Sequence, residues 1–381
     1  MPPAPPPPPP PPGVGQGAPP PTISSPPQQP PPPFFPGARG GGQSAKPAPE
    51  KAAALPPGIK GYRDVYFATD RQSTGRGVFA NSASAQGALQ YGLVTVSIPQ
   101  SHQKGELERP WKVWSFELPE SPTSHIVISA RRVLDINTFF GNINQDIDTS
   151  PEKSAFVLVH GFNVIFDDAV LRTGQLAFDL GFKGPAILYS WPSAGTTSGY
   201  VSDIDMTDWT SPHLESFLRD LRARTGARTV HLVAHSMGSR ALTQALDRLA
   251  RGATATPRFQ ELILAAPDIN TQVLQELAAS LKSESDRITM YTSDKDRALG
   301  ASVALRQGGQ RAGGDPSKLP PLPGFDIVDA SRAKASLLNH SYFAEDGRLL
   351  KDIAELIKLR AAPDRRATTL ERSGAIWQLR R

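Results

Sequence analysis

From Ala155 onward, short apolar runs alternate with stretches whose apolar residues recur at helical spacing. Ala155–His160 (AFVLVH), Pro185–Ser190 (PAILYS) and Thr229–Ala234 (TVHLVA) read as strands, and so do Leu262–Ala266, Ile288–Thr292 and Phe325–Val328. The most apolar of these have the pattern of strands buried on both faces. Between them, Phe166–Leu180 reads as a helix. Leu214, Phe217, Leu218 and Leu221 then fall at i, i+3, i+4, i+7, and Leu242, Ala245, Leu246 and Leu249 repeat the spacing. Leu350, Ile353, Ala354 and Ile357 close the series with a last helix. Strands alternating with helices of this length predict a mostly parallel central sheet with helices on both faces. No internal repeat is visible.

Residues 58–153 read differently. Arg63–Thr69 (RDVYFAT) and Tyr91–Ile98 (YGLVTVSI) are β-branched and aromatic, bounded by Gly, Pro and Asp, and Trp114–Leu118 and His125–Val133 are weaker strand candidates. These belong with the strand–helix series in one domain, 58–360. Residues 1–57 are expected to be a disordered proline-rich leader. Of the 39 prolines, 22 lie in the first 50 residues, and no charged side chain precedes Arg39. Such a segment favours polyproline II and has too few large apolar groups to offset chain entropy. It is either a spacer or a docking segment for aromatic-grooved partners. It lacks the basic start and apolar run of a secretory signal. It would equally suit a chain preceded by a signal or lipid anchor, so the compartment stays open. From Arg360 to Arg381 there are six arginines against two acids, which predicts 361–381 as a solvated basic tail.

Composition narrows the chemistry. The 381 residues include no cysteine, which excludes a disulfide scaffold, a cysteine nucleophile and thiolate metal sites. Forty-one basic against 36 acidic residues is too even for a nucleic-acid-binding footprint. No stretch of 18 apolar residues exists to span a bilayer. No HExxH-type metal signature appears, and the glycine runs lack the strand–loop–helix frame of a phosphate loop. No cofactor or metal is expected.

The strongest local signal is Val233-Ala234-His235-Ser236-Met237-Gly238, where a buried strand ends and an amphipathic helix begins. That is the setting of a nucleophile elbow, in which a serine on a sharp turn is projected above the sheet between small residues two before and two after. Ala234 and Gly238 meet the size requirement, although glycine is usual at the first place. A serine hydroxyl needs a base, and the order on this architecture is serine, acid, histidine. Of the seven histidines only His340 follows Ser236. His235 and His231 read as packing residues. The acid that orients the imidazole is expected after the strand Ile288–Thr292, where Asp294 and Asp296 compete. Asp296 heads a helical-looking segment and is favoured. Asp268, ending the preceding strand, reads as a cap or loop anchor. Two N–H donors are needed for the oxyanion. Met237, after the serine, supplies one, and Phe162 in His160-Gly161-Phe162-Asn163 supplies the other.

The run VLVHGFN, then YSWPSAG, VHLVAHSMGSRAL, LILAAPDI, Tyr291–Leu299 and NHSYF resembles a bacterial α/β-hydrolase family long filed as a domain of unknown function. VYFATDR and YGLVTVSIP look like the same family's opening strands, so the resemblance spans about residues 60–360. It implies the α/β-hydrolase fold, a triad of Ser236, Asp296 and His340, and Phe162 and Met237 as oxyanion donors. It supplies no substrate.

The functional expectation is a serine hydrolase cleaving small-molecule carboxylic esters through an acyl-enzyme. An acyltransferase on the same triad and a non-catalytic protein recruiting partners through the leader are the alternatives. Residues 191–211 lie where this fold can carry a lid. Trp191 and Tyr200 within them are candidate substrate-binding residues, and packing of the lid is the competing role.

Overall fold

The computed structural model describes residues 55–85, 87–110, 112–113, 116–117, 119–252, 257–305, 309–333 and 342–380. Nearly all of the leader, residues 1–54, lies outside them.

The described residues open with β1 (Ile59–Thr69), a small hairpin of β2 (Arg71–Gly75) and β3 (Val78–Ala83), and β4 (Gln90–Pro99). A second short hairpin follows, β5 (Lys112–Val113) with β6 (Phe116–Glu117), and then β7 (Val127–Leu134) and α1 (Ile136–Thr149). The alternating part begins with β8 (Ser154–Val159), α2 (Phe166–Asp179), β9 (Ala186–Ser190) and α3 (Tyr200–Arg224). It continues through β10 (Thr229–His235), α4 (Gly238–Ala250), β11 (Phe259–Ala265), α5 (Thr271–Glu284), β12 (Ser285–Thr292) and α6 (Arg297–Leu305). The last elements are β13 (Phe325–Asp329), α7 (Tyr342–Glu345), α8 (Gly347–Leu359), β14 (Leu370–Ser373) and β15 (Ile376–Leu379).

Among the described residues the main sheet has eleven strands in the order β14-β15-β13-β12-β11-β10-β8-β9-β1-β4-β7. From β15 across to β1 all neighbours are parallel, and antiparallel pairs occur only at the two flanks. The central strands are buried on both sides, as their unbroken apolar runs require. Period-two alternation sorts their side chains. Val157 and Val159 join a core with Phe139, Leu218 and Leu242 from α1, α3 and α4. Phe156 and Leu158 face Leu176, Leu349 and Ile353 from α2 and α8. The doubly covered, mostly parallel sheet expected from the sequence is therefore present. Its parallel strands all end on one rim, where the loops after β8, β10, β11 and β12 meet.

Three features differ from the sequence expectation. Residues 136–149 fall within the stretch read as strand-rich but form α1, capped by Asp135, whose side chain accepts from the N–H groups of Asn137 and Thr138. The segment 191–211 is not an open loop, because α3 begins at Tyr200 and buries Asp203, Thr207, Thr210 and Ser211. The basic segment beyond residue 360 is not a solvated tail. β14 and β15 form a hairpin and β15 extends the sheet beside β13. Arg366 is fully buried and pairs with Asp352 at 2.6 Å. A buried carboxylate that needs a counter-charge, together with enclosed Leu370 and Leu379, draws the segment in.

The loop after β4 is pinned by His102, whose Nδ1 lies 2.9 Å from Glu108 Oε2 and whose Nε2 lies 2.9 Å from Asp179 Oδ1 at the end of α2. Lys60 Nζ donates to the His102 carbonyl, and the Phe178 ring packs edge-on against the imidazole. Burial alone would lower the His102 pKa, but the hydrogen bonds to Asp179 and Glu108 outweigh it and hold the group above its ordinary value. The stabilisation is therefore complete below the unfolded-state value of about 6.5 and is lost as pH rises through the higher folded-state value. Urea titrations of wild type and His102→Gln are expected to differ more at about pH 5.5 than at about pH 9. A gap that is flat or widens towards pH 9 would contradict this.

Candidate active site

Ser236 follows β10 directly and sits at φ +51°, a left-handed conformation that costs a non-glycine residue about 1–3 kcal/mol. The turn is held by backbone. Ser236 N–H donates to Ala265 O at 2.9 Å, and its carbonyl accepts from Ser239 N at 3.1 Å and Asp268 N at 3.1 Å. The size requirement on its neighbours has a concrete cause. A Cβ on Gly238 would lie 2.2 Å from His160 O and 2.7 Å from Val159 O. Ala234 is completely enclosed. The N-cap position of α4 is Met237, with no side-chain hydrogen bond capping the helix.

The loop after β8 lies against this turn. A Cβ on Gly161 would come within 2.8 Å of His235 Nδ1 and 3.0 Å of Ser236 Cβ, so only glycine lets the two loops touch. Asn163 in the same loop is also left-handed, at φ +58°. His160 anchors the loop from behind. Its ring stacks on Trp191 (5.2 Å, 10°), Nδ1 lies 2.9 Å from Gly161 O, and Nε2 lies 3.2 Å from Ser190 Oγ. Burial, aided by the Arg71 charge, pushes its pKa down to about 3, so it is a neutral structural imidazole.

Trp191, a candidate for substrate binding or for packing, lies behind the loop after β8. The residue is wholly enclosed, and its indole N–H donates to His160 O at 2.7 Å, bracing the loop from inside the core. Tyr200 begins α3. Its ring meets Phe162 edge to face at 5.2 Å, while its hydroxyl donates to Asp268 Oδ2 at 2.7 Å.

Sequence reasoning missed Arg71 and Asp203. Arg71 is fully buried and donates to Ser190 Oγ (2.9 Å), Ser193 O (3.2 Å) and Val164 O (2.8 Å), joining the start of β2 to the end of β9 and to the loops after β8 and β9. Asp203 accepts from Ser193 Oγ at 2.6 Å, from Ala194 N at 2.8 Å and from the Asn163 backbone, and burial raises its pKa. An arginine directly after a buried strand and an acid among apolar lid candidates were the available signals.

The two competing aspartates follow β12. Asp296 is partly exposed and its Oδ1 accepts from Leu299 N at 3.1 Å, the first turn of α6. Asp294 is exposed, and its backbone N–H donates to Ser331 Oγ at 3.0 Å. His340 lies outside the described residues, within 334–341. The chain on both sides of that segment is at the rim. Before it, Ala330 N donates to Thr292 O at 2.7 Å and Ser331 holds Asp294. After it, the Phe343 ring stacks on His235, next to the nucleophile position, at 4.6 Å. His235 and His231 pack as expected. His231 is buried, and burial first, then the Arg360 charge, lowers its pKa to about 4.

A groove of about 560 Å³ opens elsewhere, beside β4 and β7. It is lined by Leu89, Tyr91, Leu134, Ile136 and His213 and shares no residue with the elbow. No group of three or more potential ligand side chains that could hold a metal occurs among the described residues. No described helix is long and apolar enough to cross a membrane.

A mostly parallel, doubly covered sheet with a left-handed serine at the tip of a central strand and a glycine loop against it defines an α/β hydrolase. Residues 137–360, more than half of the chain, match a family described as alpha/beta hydrolase of unknown function (DUF900), and the chain belongs to that family. The match runs from α1 to the end of α8, so the opening strands with VYFATDR and YGLVTVSIP lie upstream of it. Membership supports a hydrolase type of function. No curated protein matches the chain.

Proposed function

We propose that the protein is a serine hydrolase that cleaves small-molecule carboxylic esters through an acyl-enzyme on Ser236. The observation that carries this reading is the left-handed Ser236 at the sheet rim with Gly161 in contact with it. A strained serine is retained where its hydroxyl must face outward, and a side-chain-free loop beside it lets backbone N–H groups approach the same point.

In this reading Ser236 Oγ attacks the ester carbonyl and its proton passes to His340. Asp296 holds that imidazole in the correct tautomer and stabilises its cation. The N–H groups of Phe162 and Met237 receive the negative charge that builds on the carbonyl oxygen. The alkoxide leaves with the proton from His340, and a water activated by the same imidazole clears the acyl group. The Phe162 and Tyr200 rings border the position the acyl chain would take. Esters are the natural class, since an amide demands more of the leaving-group step.

The test is a panel of short p-nitrophenyl esters offered to the full chain. Turnover well above the buffer rate, falling as the acyl chain outgrows the Phe162–Tyr200 border, is the expected result. A folded protein that turns over none of them would overturn the proposal.

A further inference from the structure

Asp268 is 3% exposed and follows β11 next to the elbow. Its backbone N–H donates to the Ser236 carbonyl at 3.1 Å. Its carboxylate is engaged on both oxygens. Oδ2 accepts from Tyr200 OH at 2.7 Å, and Oδ1 accepts from Ser302 Oγ at 2.8 Å and lies 3.3 Å from Arg311 Nε. Arg311 Nε also donates to Ser302 Oγ at 3.2 Å, and Arg311 is as buried as Asp268.

Each partner belongs to a different part of the site. Tyr200 presses its ring on Phe162 in the oxyanion loop. Ser302 lies on α6, the helix that Asp296 caps. Arg311 lies on a segment sewn by backbone to the loop after β11. Ala312 N donates to Ile269 O and Gly313 N to Pro267 O, both at 2.9 Å, and Ser293 N, next to Asp294, donates to Gly313 O at 2.9 Å. A Cβ on Gly313 would be 2.4 Å from the Ala266 carbonyl carbon, so this segment is seated too closely to take another register. The elbow, the oxyanion loop and the acid-bearing loop thus converge on one buried carboxylate, whose counter-charge is Arg311.

We propose that Asp268 and Arg311 are a positioning pair that holds the Ser236 turn, the Phe162 loop and α6 in mutual register, and that Asp268 takes no part in the proton relay. The proposal rests on the serine-hydrolase reading above. Without the guanidinium, the carboxylate is left buried and unpaired, and Tyr200 and Ser302 lose the acceptor geometry that fixes them. The backbone ladder of 310–313 does not depend on the Arg311 side chain, so the disturbance stays local.

The experiment measures kcat, KM, the pH profile and thermal unfolding for wild type, Arg311→Lys and Arg311→Met on the ester that the wild type turns over best. Misplacing reacting groups by a fraction of an ångström lowers kcat, so Arg311→Met is expected to lose about 10- to 100-fold in kcat with KM nearly unchanged. Arg311→Lys, which keeps the charge but not the Nε–H fork, is expected to fall between the two. The acid limb of the pH profile is expected to stay where wild type has it, since the proposal gives the pair no part in the proton relay. If Arg311→Met fails to fold, Arg311→Lys carries the test. A folded variant with wild-type kcat, a loss confined to KM, or a shifted acid limb would overturn the proposal. A wild type that neither turns over esters nor reacts with a fluorophosphonate would instead overturn the serine-hydrolase reading, an outcome visible before any Arg311 variant is made.

Discussion

Ser236→Ala is expected to lower ester turnover by about 10⁴-fold or more while leaving the fold intact, since removing the nucleophile of a triad costs on this order or above. What remains would come from binding and the backbone donors alone. The variant separates chemistry from structure because the Ser236 turn is held by its backbone bonds to Ala265, Ser239 and Asp268, none of which uses the hydroxyl. Ser236→Gly adds a second signature. At φ +51° glycine avoids the clash that a Cβ meets in the left-handed region, so this inactive variant is expected to gain about 1 kcal/mol in urea unfolding. Residual turnover within tenfold of wild type in either variant would remove Ser236 from the mechanism.

Arg366→Met is expected to destabilise the protein by about 3–5 kcal/mol, because it leaves a fully enclosed carboxylate without its counter-charge. Arg366 Nη1 and Asp352 Oδ2 are 2.6 Å apart with both side chains wholly buried. Asp352 also accepts from Tyr291 OH at 2.7 Å and Thr369 Oγ1 at 2.6 Å, tying α8 to β12 and to the chain entering β14. The double variant Asp352→Asn/Arg366→Met is expected to regain much of the loss, since it removes both charges together. Urea unfolding of the three proteins checks this. A loss below about 1 kcal/mol for Arg366→Met would show that the C-terminal hairpin does not depend on the pair.

Much of the fold is written locally in the chain. The runs AFVLVH, TVHLVA and LILAA announce central parallel strands because both of their faces are covered. The elbow is legible because its constraint is steric and short-range: Ala234 and Gly238 are small where Val159 and His160 press on the turn. What stayed hidden depends on partners far along the chain. Arg71 meets Ser190 and Val164, and Asp268 meets Tyr200 and Arg311, with no local pattern to announce either. α3 extends N-terminally beyond the Leu214–Leu221 spacing, and the reason it is hard to read is local. Pro212 lies inside it, and a proline normally marks a helix boundary. Here the helix runs through, with Ser211 Oγ donating to Thr207 O and Ser216 Oγ to Pro212 O. In α1, Ile136, Phe139, Phe140, Ile143 and Ile147 carry helical spacing, but asparagine, glycine and aspartate fill its polar face and weaken the helical signal. The arginine-rich C-terminus looked like a solvated tail because charge suggests exposure unless the buried partner is known.

Reaction of the full chain with a fluorophosphonate probe, followed by mapping of the labelled peptide by mass spectrometry, tests the central claim most directly. A single adduct on Ser236, absent when Ser236 is alanine and slowed in Arg311→Met, is the predicted result. Folded protein that takes up no label, or carries it on a different side chain, would contradict the assignment of Ser236 as an activated nucleophile.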